Sequence, residues 1–195
     1  MEKKNLYIIA GCNGAGKTTA SFTILPEILN CREFVNADEI AKGLSPFQPE
    51  TVSFESGRIM LERIEELFKA KVDFAFETTL ATKSYRGKIE SAKASGYNVT
   101  LLFFWLQNVD LAIERVKTRV AEGGHNIETE IIKRRYINGI QNLFKIYLPI
   151  VDEAMIFDNS EGRHQLIALK AIGSEIEIIN ETTFSKLNRQ YHESE

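Results

Sequence analysis

The run Gly11-Cys12-Asn13-Gly14-Ala15-Gly16-Lys17-Thr18 sets a glycine, four residues and then Gly-Lys-Thr in order, the spacing of a phosphate-binding loop. Glycines let successive amide N–H groups turn into one concavity, and a helix opening near Lys17 adds the positive end of its dipole. In that chemistry Lys17 reaches the β and γ phosphates of a nucleoside triphosphate, and the Thr18 hydroxyl ligates Mg²⁺. The expected binding segment is Gly11 to Thr18 together with Thr19. An ordinary glycine turn is the competing reading, and it leaves the Lys-Thr pair unexplained. Cys12 lies inside the loop with no neighbouring base, so thiol catalysis is not expected.

A held triphosphate becomes a phosphoryl donor where an acid can orient a hydroxyl and accept its proton. Asp38 ends Phe34-Val-Asn-Ala-Asp38, directly after a short apolar run, and Glu77 ends Phe74-Ala-Phe-Glu77 in the same way. At the carboxyl ends of strands both acids would stand on a ligand rim, one as base and one near the metal. Each also has a plainer reading. Asp38 is a suitable cap for a helix beginning at Glu39, and Glu77 is an acid that can simply meet solvent.

A third group is basic. Asp110 is a suitable cap for a helix through Leu111 to Arg119, on which Arg115 and Arg119 share a face. Such like charges repel by roughly 0.2 to 0.5 kcal/mol unless an anion joins them. The helix breaks at Gly123-Gly124-His125 and resumes near Glu128 with Arg134-Arg135-Tyr136. Two basic helices about a glycine hinge, spanning about 115–136, suit a lid that closes over phosphates. A solvated basic face is the alternative. His125 reads as a local hydrogen-bonding residue, and a single histidine makes no metal site.

These groups need a scaffold. Leu6–Ala10, Phe34–Asn36, Val72–Phe76, Val99–Leu106 and Ala154–Phe157 read as buried strands. Between them lie helical stretches, the clearest being Gly57–Ala70 with Met60, Ile64, Leu67 and Phe68 on one face. The alternation predicts βαβ units, a mainly parallel sheet and helices on both sides. Leu166–Gly173 and Glu175–Asn180 read as a closing hairpin, and His192–Glu195 as a frayed tail. Trp105 and Phe103-Phe104 are expected in the core.

Of 195 residues, 44% are hydrophobic and 26% charged, with a net charge of −3. That composition suits one globular domain over 1–195 and excludes a disordered or collagenous chain. The absence of a basic excess argues against a general nucleic-acid binder. Cys12 and Cys31 are too few for a disulfide framework, and the longest apolar run, Leu101–Leu106, is far too short to span a membrane. A cytoplasmic, unexported protein is expected.

Taken in order, Gly-Cys-Asn-Gly-Ala-Gly-Lys-Thr, Asn36-Ala-Asp38, Glu77-Thr-Thr-Leu80-Ala-Thr82, Gly96-Tyr97, Arg119 through Gly123-Gly-His125 to Arg134-Arg135, and Asp158-Asn-Ser160 resemble the zeta toxin family of small P-loop kinases. The resemblance covers roughly Leu6 to Ser160. It implies a three-layer α/β P-loop fold of the nucleoside and shikimate kinase type with a helical arginine lid. It also implies ATP and Mg²⁺ as donor and metal, Asp38 as general base, and Glu77, Thr79 and Thr82 as substrate contacts. Thr18 and Glu77 serve the metal, Arg119 and Arg134 are lid catalysts, and Arg135 lies beside the triphosphate. Asp158-Asn159-Ser160 corresponds to a loop near the nucleotide base. The best-known family acceptor is UDP-N-acetylglucosamine. Where the family motif carries a substrate-contacting arginine this chain has Ala81, and the preceding glycine is Thr78. Losing such a charge-assisted contact, worth about 1.5 to 3 kcal/mol, is enough to change the preferred substrate. The Gly-Gly-His lid resembles members not paired with an antitoxin.

The expected protein is therefore an ATP-dependent kinase for a small-molecule hydroxyl, with a sugar or nucleotide sugar as one acceptor class. A nucleotide-binding switch and a nucleic-acid end kinase are the competing readings. The switch needs neither both rim acids nor an arginine lid, and the end kinase lacks a basic track.

Overall fold

A computed structural model of the chain describes residues 3–124 and 126–193; His125, Ser194 and Glu195, on which two of the sequence expectations fall, lie outside them. Strand β1 (Lys4–Gly11) is buried from Leu6 onward on both faces, as its unbroken apolar run requires of a central parallel strand. After the loop at 12–16, helix α1 (Lys17–Thr23) runs into a wide turn at Ile24–Ile28. The chain then crosses to β2 (Phe34–Val35), helix α2 (Ala37–Leu44) and, past a tight turn opened by Pro49, the long α3 (Ser53–Ala70). Strand β3 (Phe74–Thr78) returns between β2 and β1, and α4 (Arg86–Ala94) leads to β4 (Tyr97–Trp105) on the other flank of β1.

Helices α5 (Val109–Ala121) and α6 (Thr129–Asn142) follow. Through a wide turn at Leu143–Tyr147 the chain enters the single turn α7 (Leu148–Ile150) and then β5 (Glu153–Asp158). An antiparallel pair, β6 (Gln165–Lys170) and β7 (Ile176–Ile178), closes the sheet, and α8 (Glu181–Glu193) ends the description. The seven strands lie in the order β2-β3-β1-β4-β5-β6-β7, with the first five parallel. This is the α/β architecture expected from the alternating pattern. Trp105, Phe103 and Phe104 are buried as expected. None of the described helices is long and apolar enough to cross a membrane.

Because β1 sends the chain to one side and β3 and β4 flank it, the crevice beyond its carboxyl end is the natural ligand position. Register sets what surrounds it: Ile9 stands opposite Glu77, Gly11 opposite Phe104, and Val35 opposite Phe76. Asn36, one residue past Val35, therefore falls beside Glu77, one residue past Phe76.

Several local expectations are corrected. Strand β3 begins two residues later than read and includes Glu77 and Thr78, because pairing with β1 extends it beyond its apolar run. Strand β2 ends at Val35, one residue earlier than read, and Asn36 caps α2: its Oδ1 accepts from the backbone N–H of Asp38 at 2.8 Å and Glu39 at 3.3 Å. Asp38 is thus in the first turn and not the cap. Asn108 likewise displaces Asp110, accepting from the N–H of Leu111 at 2.8 Å. Helix α3 begins at Ser53, four residues before the expected start. The tail reading fails for His192 and Glu193, which are helical, since α8 is held by the buried Phe184 and Leu187.

Gly11 has φ +140°, and a Cβ there would lie 2.2 Å from the Phe104 carbonyl oxygen across the sheet. Gly11→Ala is expected to lose about 2 to 4 kcal/mol from combined backbone strain and overpacking. Urea denaturation measures it, and a loss below about 1 kcal/mol would contradict the tight approach.

Candidate active site

The loop leaves β1 at Gly11 and closes with the Ala15 N–H donating to the Cys12 carbonyl at 3.2 Å before α1 starts. Gly16 is left-handed at φ +81°, and its missing side chain makes room for Asn159, whose Nδ2 would be 2.5 Å from a Cβ. That amide donates to the Ala15 carbonyl at 2.8 Å and so latches the loop to the end of β5. Arg115 of α5 completes the latch, donating from Nη2 to the carbonyls of Asn159 at 2.9 Å and Ser160 at 2.8 Å.

The loop's polar centre is the Glu77 carboxylate. The Thr18 hydroxyl donates to its Oε2 at 2.8 Å, Asn36 Nδ2 donates to the same oxygen at 2.8 Å, and Lys17 Nζ stands 3.4 Å from Oε1. Lys17 also donates to the Cys12 carbonyl at 3.0 Å, folding back over its own loop. The Lys17 and Glu77 side chains are only 7% and 10% exposed. At such burial either charge alone would be costly, so each fixes the other. One carboxylate from β3 therefore joins the loop lysine, the loop threonine and the cap of α2.

A cleft of about 600 Å³ opens over this centre. Asn13, Gly14, Lys17 and Thr19 form its floor, and Thr18 and Glu77 lie where floor and acids meet. Asp38 lines it too, as do Arg115, Arg119, Gly123 and Gly124. The predicted phosphate loop, both rim acids and the first half of the lid thus converge. Phe22, Glu39 and Lys42 also line the cleft and were not singled out from sequence; their signal is helical spacing, since Phe22 follows Thr18 by one turn and Lys42 follows Asp38 by one turn.

The second half of the lid is arranged differently. Arg134 is exposed and lies outside the cleft lining, whereas Arg135 is half-buried and donates from Nη1 to Asn13 Oδ1 at 3.2 Å. Burial lowers the Arg135 pKa, and the negative charge of Asp38 acts in the opposite direction. Thr79 and Thr82 are not among the lining residues. Their loop is strapped to the far helix: Asn142 Nδ2 donates to the Leu80 carbonyl at 2.8 Å and the Tyr147 hydroxyl to the Thr82 carbonyl at 2.6 Å. Leu80, buried and at φ +59°, is the strained point of that loop. The Thr82 hydroxyl is exposed, 2.8 Å from that of Ser84. Hinge residue His125 lies outside the described residues.

Asn36 is the functional candidate that sequence reasoning named only as part of a motif. An asparagine after a strand and two residues before an acid is a cap signal, but its second bond, to Glu77, depends on the β2–β3 register. Among the described residues no group of three or more His, Cys, Asp or Glu side chains could hold a metal ion. Thr18 and Glu77 offer hard oxygen donors that suit Mg²⁺ held mostly by phosphate and water. The glycine cradle and Lys17 likewise suit a polyphosphate.

Residues 1–172 match the family model described as Zeta toxin. An uncharacterized protein of Haemophilus influenzae (strain ATCC 51907 / DSM 11121 / KW20 / Rd) is 29% identical over 136 residues, covering 70% of this chain and 94% of that protein. Among solved structures, the AvrRxo1-ORF1:AvrRxo1-ORF2 complex with sulphate ions superposes with a TM-score of 0.75 at 17% identity, over 95% of this chain. The chain spans only 63% of that protein's length. The PezAT toxin-antitoxin system of Streptococcus pneumoniae gives 0.64 at 14% identity, over 100% of this chain and 88% of that one. A putative kinase from Chloroflexus aurantiacus gives 0.61 at 13% identity, over 82% and 90% of the two chains. The fold is that of the P-loop kinases.

Removing the cap in Asn36→Ala is expected to cost about 1 kcal/mol of stability, within a range of about 0.5 to 2, read from the shift in urea midpoint. Burial pushes the Cys12 and Cys31 thiols up to about 11. Alkylation by iodoacetamide at pH 8 should accordingly be roughly 100-fold slower in the folded than in the urea-unfolded chain. Rapid native labelling of Cys12 would contradict the closed loop.

Proposed function

The chain belongs to the zeta toxin family, and from that premise and the clasp on Glu77 we propose that it transfers the γ-phosphoryl group of ATP to a hydroxyl of a small molecule. The observation that carries the reading is the convergence of Lys17, Thr18 and Asn36 on one buried carboxylate, in a cleft that also holds Asp38 and Arg119.

In this reading the loop amides and Lys17 take the β and γ phosphates, and Lys17 exchanges its Cys12 carbonyl contact for phosphate oxygen. Thr18 and Glu77 would hold Mg²⁺, which when bound would neutralise phosphate charge. Glu77 keeps the Thr18 hydroxyl aimed by accepting its hydrogen bond, and Asn36 holds Glu77. Asp38 accepts the proton of the acceptor hydroxyl as its oxygen attacks the γ-phosphorus and the bond to the β-phosphate oxygen breaks. Arg119 and Arg134 supply positive charge as the lid closes, and Arg135 fixes the loop through Asn13. Arg134, exposed here, has to swing inward to act. Glu77 bounds the acceptor, whereas Thr79 and Thr82 lie outside the cleft lining and take no part in this reading. Ala81, lacking an arginine's charge, favours an acceptor other than the family's UDP-N-acetylglucosamine.

A metabolite pool containing UDP-N-acetylglucosamine, incubated with Mg·ATP and followed by mass spectrometry, tests the reading. Wild type is expected to yield a phosphorylated species, and Asp38→Asn to make it about 10²- to 10⁴-fold more slowly with ATP affinity kept. Near wild-type transfer by Asp38→Asn would remove Asp38 as base; ATP loss with no phosphorylated product would favour a nucleotide-driven switch. Lys17→Ala is expected to abolish ATP binding by calorimetry, and EDTA to stop turnover without unfolding the chain.

A further inference from the structure

Helix α8 begins after residue 172, where the match to the family model ends. Its apolar face is seated on α6 and the turn that follows: Phe184 and Leu187 are buried, and the Phe144 ring lies 6.2 Å from that of Phe184 and 4.8 Å from that of Tyr191. One polar side chain of α8, Gln190, reaches three separate partners. Its Oε1 accepts from Trp105 Nε1 at 2.9 Å and from the Tyr136 hydroxyl at 3.0 Å, while its Nε2 donates to the Gln107 carbonyl at 2.6 Å. The Tyr136 hydroxyl also stands 2.6 Å from the Leu106 carbonyl and shares its proton between the two acceptors.

Those partners are the two roots of the lid. Trp105 to Gln107 is where β4 ends and the chain turns into α5 through the Asn108 cap. Tyr136 lies on α6 directly after Arg135, whose guanidinium meets Asn13 of the phosphate loop. Apolar contact alone lets a helix slide or rotate by small amounts, whereas hydrogen bonds at three points are narrow in distance and angle. Any shift of α8 at Gln190 therefore moves both roots together.

We infer that Gln190 is a positioning residue: by tying both lid roots to α8 it holds Arg135 against Asn13 and sets how the lid closes over a bound triphosphate. The inference rests on the nucleotide-binding reading given above. It assigns a role in that site to a segment outside the matched family region.

Calorimetric titration of wild type, Gln190→Leu and Gln190→Glu with the magnesium complex of a non-hydrolysable ATP analogue tests it, together with thermal melts and the emission of Trp105, the single tryptophan of the chain. Gln190→Leu keeps a good helix former and removes all three bonds; its Kd for the analogue is expected to rise about tenfold. Gln190→Glu keeps the acceptor for Trp105 and Tyr136, and is expected to recover most of the affinity and the wild-type emission maximum. Should Gln190→Leu fail to fold, Tyr136→Phe, which removes the α6 tie to Gln190 together with the bond to the Leu106 carbonyl, is expected to raise Kd about threefold. Equal Kd values in all folded variants overturn the inference, as does a lowered melting temperature with Kd unchanged, which leaves Gln190 a structural role alone. Failure of the wild type to bind the analogue defeats the nucleotide reading itself and the inference with it.

Discussion

The rest of the site depends on one buried ion pair. Lys17 sits at the amino end of α1 with its ammonium largely removed from water, and Glu77 is the acid that meets it. Removing one member of such a pair typically costs about 3 to 5 kcal/mol, because the other is left charged without a partner. The pair therefore constrains everything that brings its members together. Strands β1 and β3 must be neighbours, their register must set Ile9 against Glu77, and the loop must be tight enough for Lys17 to turn back over it. The same carboxylate takes Thr18 and Asn36, so the helix that carries Asp38 is capped by the residue that also holds Glu77.

The lid is tied to the loop from the opposite flank. Arg115, which by spacing alone would be equivalent to Arg119, spends its guanidinium on the carbonyls after β5. Arg119 lines the cleft one turn further on. Both arginines line the cleft, and backbone carbonyls hold the guanidinium of Arg115. The Arg134-Arg135 pair divides. Adjacent helical residues point about 100° apart, so only one of them can meet Asn13 while the other faces solvent.

The segment Thr78 to Thr82 departs from the motif it resembles. Ala81 stands where a charged contact is expected, the Thr79 to Thr82 loop is fastened through its carbonyls to Asn142 and Tyr147, and the cleft is walled by Phe22 and the Glu39–Lys42 ion pair at 2.6 Å.

The phosphate loop, the alternation of strands and helices as far as the closing hairpin, and the cleft position of Asp38 and Glu77 were legible in the chain alone, because each follows from contacts among near neighbours. Gly-Lys-Thr after a glycine has one common conformation, and an apolar run ending in an acid puts that acid at a strand end wherever the strand lies. Asn36 shows where legibility stopped. Its capping role was local and still assigned to the wrong residue, since Asn36 and Asp38 both have capping chemistry and only the backbone angles decide between them. Its bond to Glu77 joins positions 41 residues apart, and the choice of Arg135 over Arg134 joins residues 122 apart. Helix α8 carries a helical apolar pattern that sequence reasoning passed over, and its place is set by the surface that α6 offers. The sequence by itself determined which groups could do chemistry. The tertiary structure decided which of them face one another, because strand register, helix rotation and burial are properties of the packed sheet and not of any segment within it.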